Sequence, residues 1–303
     1  MSYRSNKICI IGPGVVGYAT GKVLSENGFK VGFIGRNEEK SERLKMEGFD
    51  SYTFKNFPDH HYDYDITFIT VATPTIDGKI NLEPVRQASE FLGELLAYRK
   101  QYHLVVVKST VLPGTTENMV IKTLEQKSGK KAGVDFGVCM NPEYLREKIA
   151  LEDSRKPWVT LIGQYDEKSG DMLEKVYKTF TKSIFRCSLI EAEMQKYVHN
   201  LYNAAKITFY NEMRNVAEQL GANADRMFKL TALSCEGMWN PEYGIKDFGP
   251  FLGHCLPKDT QAFYNFTRNN KIDADLLKIT IDVNNQLMRK LNIKNAHVVG
   301  AVL

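Results

Sequence analysis

The tightest constraint on this chain is Gly12-Pro13-Gly14-Val15-Val16-Gly17, set between an apolar run, Lys7 to Ile11, and a stretch patterned as a helix from Val15 to Asn27. A G-x-G-x-x-G between strand and helix brings backbone against a pyrophosphate. Gly12 permits the tight turn, Gly14 the close approach, and Gly17 the packing of helix on strand. Phosphates then sit at the helix N-terminus, where N–H groups and the positive end of the dipole favour anions. The first part of the chain is thereby read as a dinucleotide-binding domain, with Gly12, Gly14, Val15, Val16 and Gly17 as its cradle.

The second strand, Lys30 to Ile34, should end on an acidic residue that holds the adenine ribose. Gly35 stands there instead, followed by Arg36. A carboxylate would repel a 2′-phosphate, whereas glycine leaves room and arginine offers a charge-assisted fork. The pair favours NADP over NAD. Two alternatives stay open: Arg36 stacks on the adenine, or Glu38 or Glu39 holds the ribose of NAD.

Apolar strands and helical stretches keep alternating beyond this point. Strands are expected over Asp65–Val71, Leu104–Lys108, Phe136–Cys139 and Trp158–Gly163, with helices over Leu82–Tyr98 and Gly114–Gln126. Such β-α-β repetition predicts a doubly wound, Rossmann-like, mostly parallel sheet covered by helices, with ligands at the carboxyl ends of the strands. Thr73-Pro74-Thr75 and Ser109-Thr110 leave those ends, so Thr73, Pro74 and Thr110 are expected to meet the cofactor.

Ser188-Leu189-Ile190-Glu191 matches a capping box, and no helix breaker follows before Gly221. A helix from Leu189 to Leu220 would span roughly 48 Å, too long to hide in one small domain, and is read as a spine and a homodimer interface. Lys196 and Asn200 lie four apart on it and would together steady a negative oxygen. The chain divides on this reading into a dinucleotide domain (1–188), the connecting helix (189–220), an all-helical second domain (221–296) and a final strand (297–303). The fold class is therefore α/β with a helical second domain.

That second domain holds Gly253-His254-Cys255-Leu256-Pro257-Lys258-Asp259. Proline is pre-set for the first turn of a helix, which puts Cys255 at a helix N-terminus with Lys258 beside it. Both features lower a thiol pKa and favour the nucleophilic thiolate. A small buried loop cysteine is the plainer reading.

Composition serves mainly to exclude. A net charge of +4 over 303 residues, with the signs interleaved, offers no nucleic-acid stripe or membrane-binding tail. Five widely spaced cysteines without a C-x-x-C argue against a disulfide framework and a zinc cluster. With neither signal-peptide core nor spanning apolar run, the expected setting is the cytoplasm.

Taken together these motifs resemble the UDP-glucose/GDP-mannose dehydrogenase family, the nucleotide-sugar 6-dehydrogenases. The likeness runs in order through nearly the whole chain: the glycine turn, Val71 to Thr75, Lys108-Ser109-Thr110-Val111-Leu112-Pro113-Gly114-Thr115-Thr116-Glu117, Asn141-Pro142-Glu143-Tyr144-Leu145-Arg146-Glu147, the Glu193/Lys196/Asn200 set and Cys255 to Asp259. The resemblance implies oxidation of a sugar-nucleotide primary alcohol to a carboxylate with two nicotinamide cofactors, through a thiohemiacetal and a thioester on Cys255. It implies Lys196 and Asn200 as oxyanion stabilisers, Thr110 and Asp259 as positioners of water, Glu143 or Glu147 as general base, and Lys258 beside the thiol and cofactor.

Four departures accompany it. The chain stops at what looks like the first strand of the family's C-terminal nucleotide-sugar domain, which reads as a short form. Asn240-Pro241-Glu242 lies where the family carries an arginine that reaches substrate. The loop Gly249–His254 is shorter and poorer in glycine, and Gly35-Arg36 alters the cofactor end. Two other functions stay open: a single-step dehydrogenase of the 3-hydroxyacid kind, and a cofactor-binding partner subunit without turnover.

Overall fold

The computed structural model describes residues 7–58, 62–245, 249–253 and 255–293, which fall into two compact units, one running to His199 and one starting at Asn200. In the first unit the chain forms β1 (Lys7–Ile11), α1 (Val15–Glu26), β2 (Lys30–Gly35), α2 (Glu38–Met46), β3 (Asp50–Thr53) and β4 (Ile66–Ile69). A small hairpin follows, β5 (Thr75–Ile76) with β6 (Lys79–Ile80), then α3 (Glu83–Ala97), β7 (His103–Val107), α4 (Lys122–Ser128) and β8 (Phe136–Met140). The last elements are α5 (Ala150–Arg155), β9 (Thr160–Gln164), α6 (Glu167–Tyr177) and β10 (Ile184–Ser188).

The sheet runs β3-β2-β1-β4-β7-β8-β9-β10. Every pairing is parallel except β8 with β9, which run antiparallel through Cys139 opposite Gln164 and Met140 opposite Gly163. Strand residues alternate between two cores, as a pleated strand covered on both sides requires. Ile8 and Ile10 pack with Phe33, Phe68, Leu24 of α1 and Leu173 of α6. Cys9 and Ile11 face the other way, toward Leu92 of α3 and Leu124 of α4. The reversal of strand order beside β1 opens a crevice at the carboxyl ends, where doubly wound sheets bind ligands.

The apolar strands lie where their sequence places them, although β4 is shorter than the run Asp65–Val71. β3 and β10 are edge strands of mixed composition, Asp50-Ser51-Tyr52-Thr53 and Ile184-Phe185-Arg186-Cys187-Ser188, and carry little strand signal of their own. The expected helix Gly114–Gln126 is not uniform. Thr116–Ile121 forms a wider π-helical turn before α4 begins at Lys122.

Ser188 and Glu191 make the reciprocal cap at the start of α7 (Leu189–Gln219): the Ser188 N–H donates to the Glu191 carboxylate at 2.7 Å. Gly221 follows its end in the left-handed region at φ +71°.

Among the described residues of the second unit the regular elements are all helices, with α8 (Ala224–Ser234), α9 (Glu236–Trp239), α10 (Leu256–Asn269) and α11 (Asp275–Lys290) after α7. Glu212 of α7 caps α11 by accepting from the N–H groups of Leu276 (2.7 Å) and Leu277 (3.1 Å). The strand expected over 297–303 lies outside the described residues.

Candidate active site

A cavity of about 440 Å³ opens at the carboxyl ends of β2, β1, β4, β7 and β8. Gly12, Pro13, Gly14, Val15 and Val16 form its floor. Gly35, Arg36, Asn37 and Lys40 enter from the β2 side, Thr70 to Thr73 from β4, and Lys108, Ser109, Thr110 and Glu143 from β7 and β8.

The glycines divide the work of the turn. Gly12 has φ +101°, and a Cβ there would stand 2.8 Å from the Val71 nitrogen. A Cβ on Gly17 would stand 2.2 Å from the Gly12 carbonyl oxygen, so Gly17 does not line the cavity but lets α1 pack beneath it. Gly14 is the reverse case: apart from its chain neighbours, no atom of the described residues lies within 4 Å of where its Cβ would be. Gly14 is also the N-cap of α1, with no side-chain cap and no acidic residue in the first turn. Open space above uncapped helical N–H groups fits a pyrophosphate. The Thr70 hydroxyl braces the turn by donating to the carbonyls of Ile11 (3.0 Å) and Gly12 (2.7 Å).

At the ribose end the structure corrects one point. Gly35 does not leave an empty space, because a Cβ there would come within 2.8 Å of the Pro13 ring. Pro13 and Gly35 interlock, and an acidic side chain at position 35 would need the turn to move. Glu38 and Glu39, the alternative ribose holders, are absent from the cavity lining, and Glu39 pairs with Arg43. Lys40 does line it, on a turn set by the Asn37 side chain, which accepts from the Lys40 N–H at 2.8 Å. Sequence reasoning missed Lys40 and Asn37. The signal was available, since an Asn N-cap three residues before a helical residue aims that residue toward the helix entrance.

The other end holds titratable groups. Lys196, on α7 and 5% exposed, donates to the Glu143 carboxylate at 2.9 Å and to the Glu143 carbonyl. Glu143 also accepts from the Leu145 N–H at 2.6 Å. Thr73 donates to the Thr110 carbonyl at 2.8 Å and Ser109 to the Val71 carbonyl at 2.6 Å, which binds the two polar turns into one wall. Glu193 is fully buried and accepts from the N–H groups of Gly114 and Thr116, fixing the segment after Thr110 to α7. Pro74 is exposed and does not line the cavity, and Glu147 is exposed on a short 3₁₀ turn, Glu147–Ile149.

The remaining candidates belong to the second unit. Asn200 is exposed. Cys255 is exposed and is the N-cap of α10, with Pro257 in the first turn, as its neighbours predicted. Lys258 pairs with Asp259, and that bond holds its ammonium above the usual lysine range. The segment before the cysteine is tied to α11 by Asn284, whose side chain accepts from the Phe251 N–H at 2.7 Å and donates to the Phe251 carbonyl at 3.2 Å. Nothing in the sequence marks Asn284 for that task. Glu242 is exposed, and its N–H donates to the Asn240 side chain at 3.0 Å. Among the described residues no group of His, Cys, Asp and Glu side chains is arranged to hold a metal ion, and no helix is long and apolar enough to cross a membrane.

Comparison with known proteins agrees with this geometry. Residues 6–181 match the model of the UDP-glucose/GDP-mannose dehydrogenase family NAD binding domain, and residues 190–286 match that family's central domain. The chain is 38% identical to a GDP-mannose 6-dehydrogenase of Pseudomonas syringae pv. tomato over 226 residues, covering 74% of this chain and 50% of that protein. It is 31% identical to a UDP-glucose 6-dehydrogenase of Bacillus subtilis over 97% of this chain and 69% of the relative. A crystal structure of a ternary complex of GDP-mannose dehydrogenase from Pseudomonas aeruginosa superposes with a TM-score of 0.87 at 32% identity, covering 93% of this chain and 69% of that one. The chain thus spans about half the length of the GDP-mannose 6-dehydrogenases it matches.

Proposed function

The chain belongs to the UDP-glucose/GDP-mannose dehydrogenase family, and on that premise we propose that it oxidises a primary alcohol of a sugar nucleotide to the carboxylate with a nicotinamide dinucleotide. The observation that carries the reading is one cavity that joins a pyrophosphate cradle, Gly12 to Val16, to Thr110, Lys108 and Glu143. When bound, the nicotinamide ring supplies a hydride acceptor. Every other part falls to side chains of this chain.

Lys196 and Asn200 stabilise the alkoxide and the later tetrahedral oxyanions. The Cys255 thiolate adds to the aldehyde carbon left by the first oxidation, and the hemithioacetal alkoxide would give its hydride to a second oxidised dinucleotide, leaving a thioester. Water, positioned by Thr110 and Asp259, adds to the thioester carbon, the C–S bond breaks and the thiolate is restored. Glu143 is favoured over Glu147 as the base for that water, because it lines the cavity and Glu147 does not. Lys258 acts on this reading from beside the thiol.

The ribose end supports NADP rather than NAD. Arg36 and Lys40 line it without a carboxylate, and the 2′-phosphate of NADP carries the charge they would meet. We also infer a homodimer through α7, on which Met194, Val198, Leu201 and Tyr202 are about half exposed at helical spacing.

The test is turnover of the purified chain with GDP-mannose or UDP-glucose as probes, counting reduced cofactor against sugar consumed. Two per sugar supports the full reaction, and one per sugar would instead make this a single-step dehydrogenase. Tight dinucleotide binding without turnover on either probe would favour a partner subunit. Calorimetry with Arg36→Ala and Lys40→Ala checks the cofactor: the NADP preference should collapse in both, and a preference for NAD that neither variant alters overturns that part.

A further inference from the structure

Lys108 is a buried ammonium that none of the steps above uses. It is 8% exposed, at the end of β7, and donates to the Asn141 side-chain oxygen at 2.8 Å, with longer approaches to the Tyr177 hydroxyl (3.4 Å) and the Asn141 carbonyl (3.5 Å). Tyr177 donates to the same Asn141 oxygen, and the Asn141 amide donates to the Leu161 carbonyl at 2.8 Å. Lys108 thus ties the end of β7 to the residue after β8 and to the end of α6, and Asn141 extends the tie to the start of β9. All its hydrogen-bond acceptors are neutral. A buried cation held only by neutral groups is costly, so its surroundings are under constraint.

Two further facts concern the same side chain. Burial pushes its ammonium down to about 8, while the Glu143 charge acts to keep the proton on and Lys196 acts to drive it off. Lys108 and Glu143 also line a second, smaller cavity of about 40 Å³, beside α1, α5 and α6. That cavity includes Thr20, whose buried hydroxyl has no hydrogen-bond partner among the described residues, and Asp153, which pairs with Arg146. Its walls are largely apolar, from Val23, Leu24, Trp158 and Phe180, but Lys108, Glu143 and Thr20 give it polar groups that water could meet.

We propose that Lys108 is the positioning and charge-compensating partner of Glu143: it clamps the Asn141-Pro142-Glu143 segment, and it gives up its own proton when Glu143 takes one. The balance is simple. The attacking water passes a proton to Glu143 and its hydroxide to the thioester carbon, an ammonium proton leaves Lys108 for bulk solvent, and the summed charge of Lys108, Glu143 and Lys196 stays constant. The charged and titratable groups that face Lys108 are Glu143 after β8, Lys196 on α7 and Tyr177 on α6, with Asp153 of α5 across the small cavity. Neutralising Glu143 removes the negative charge that acts to hold the Lys108 proton and leaves Lys196 opposed to Lys108, so that proton must loosen. The role as base rests on the proposed function, whereas the coupling between the two groups does not.

The test is therefore made first without turnover. Nitrogen-labelled lysine in the full chain is titrated by NMR, with Lys108→Met to assign the signal and Glu143→Gln as the probe. Lys108 should titrate near pH 8, and its midpoint should fall by about half a unit or more in Glu143→Gln. A midpoint in the ordinary lysine range, or one that Glu143→Gln does not lower, overturns the proposal. Glu143 is only partly buried, so its amide variant keeps the test alive if Lys108→Met fails to fold, the signal then being assigned by Tyr177→Phe. If the coupling is found and no sugar nucleotide is turned over, the proposed function fails while the coupling stands. If turnover exists, Lys108→Met should move the alkaline limb of the rate profile rather than merely scale it.

Discussion

The Glu193 carboxylate accepts the Thr116 N–H at 2.7 Å, across 77 positions of chain, and the Gly114 N–H with its other oxygen. This one buried acid fastens α7 to the loop that carries Thr110. It also sits where the π-helical turn begins, so the wide turn and the bidentate acceptor occur together. Truncation would leave the buried Thr116 N–H and the half-buried Gly114 N–H unmatched. Glu193→Ala is expected to lower unfolding free energy by about 3 kcal/mol, measured by urea titration, with Glu193→Gln losing less. A loss under about 1 kcal/mol would mean that the loop is held by other contacts.

Gly14 and Gly17 should separate binding from folding. Gly14→Ala adds a methyl that meets nothing beyond its chain neighbours among the described residues, so melting should stay unchanged while dinucleotide affinity falls by about tenfold or more. Gly17→Ala drives a methyl into the Gly12 carbonyl and should lower both. If Gly14→Ala bound NAD and NADP normally, the cradle would not lie over α1.

Cys255→Ser should stop the reaction after one hydride. The exposed thiol caps no N–H, so the substitution leaves α10 intact. The measurement is reduced cofactor per sugar, with aldehyde trapped as a hydrazone. Cys235→Ser, equally exposed, is the control. Unchanged alcohol-to-acid turnover in Cys255→Ser would remove the covalent step.

His103 should make the first unit sensitive to acid. Its Nδ1 lies 2.9 Å from the Tyr64 carbonyl, which can only accept, so that nitrogen carries the proton and Nε2 accepts from the Thr67 hydroxyl at 2.9 Å. Burial, reinforced by Arg99, pushes the imidazole down to about 3. The folded state thus refuses a proton that the unfolded chain takes below about 6.5, so its stabilisation is full above that pH and is lost as pH falls toward 3. Between pH 7 and pH 5 this single group should cost about 2 kcal/mol. Urea midpoints at the two pH values check it, and His103→Gln should show the smaller drop.

What the sequence determined by itself was local. The glycine turn, the apolar strands, the Ser188/Glu191 cap and the proline-led start of α10 are each set by neighbours a few residues apart, and each stands where those neighbours imply. The turn glycines were legible for the same reason, Gly12 through its positive φ and Gly17 through its contact with the Gly12 carbonyl five residues before it. The tertiary structure alone decided which distant groups meet. Lys108 reads as part of a motif, and only the packing of α6 and β8 around it turns it into a buried cation beside Glu143. Asn284 and Lys40 carried too little local pattern to stand out, and Gly35 seemed to leave room until Pro13 was found to fill it. A contact between residues far apart in the chain depends on how whole elements pack, and no short window of sequence contains that geometry.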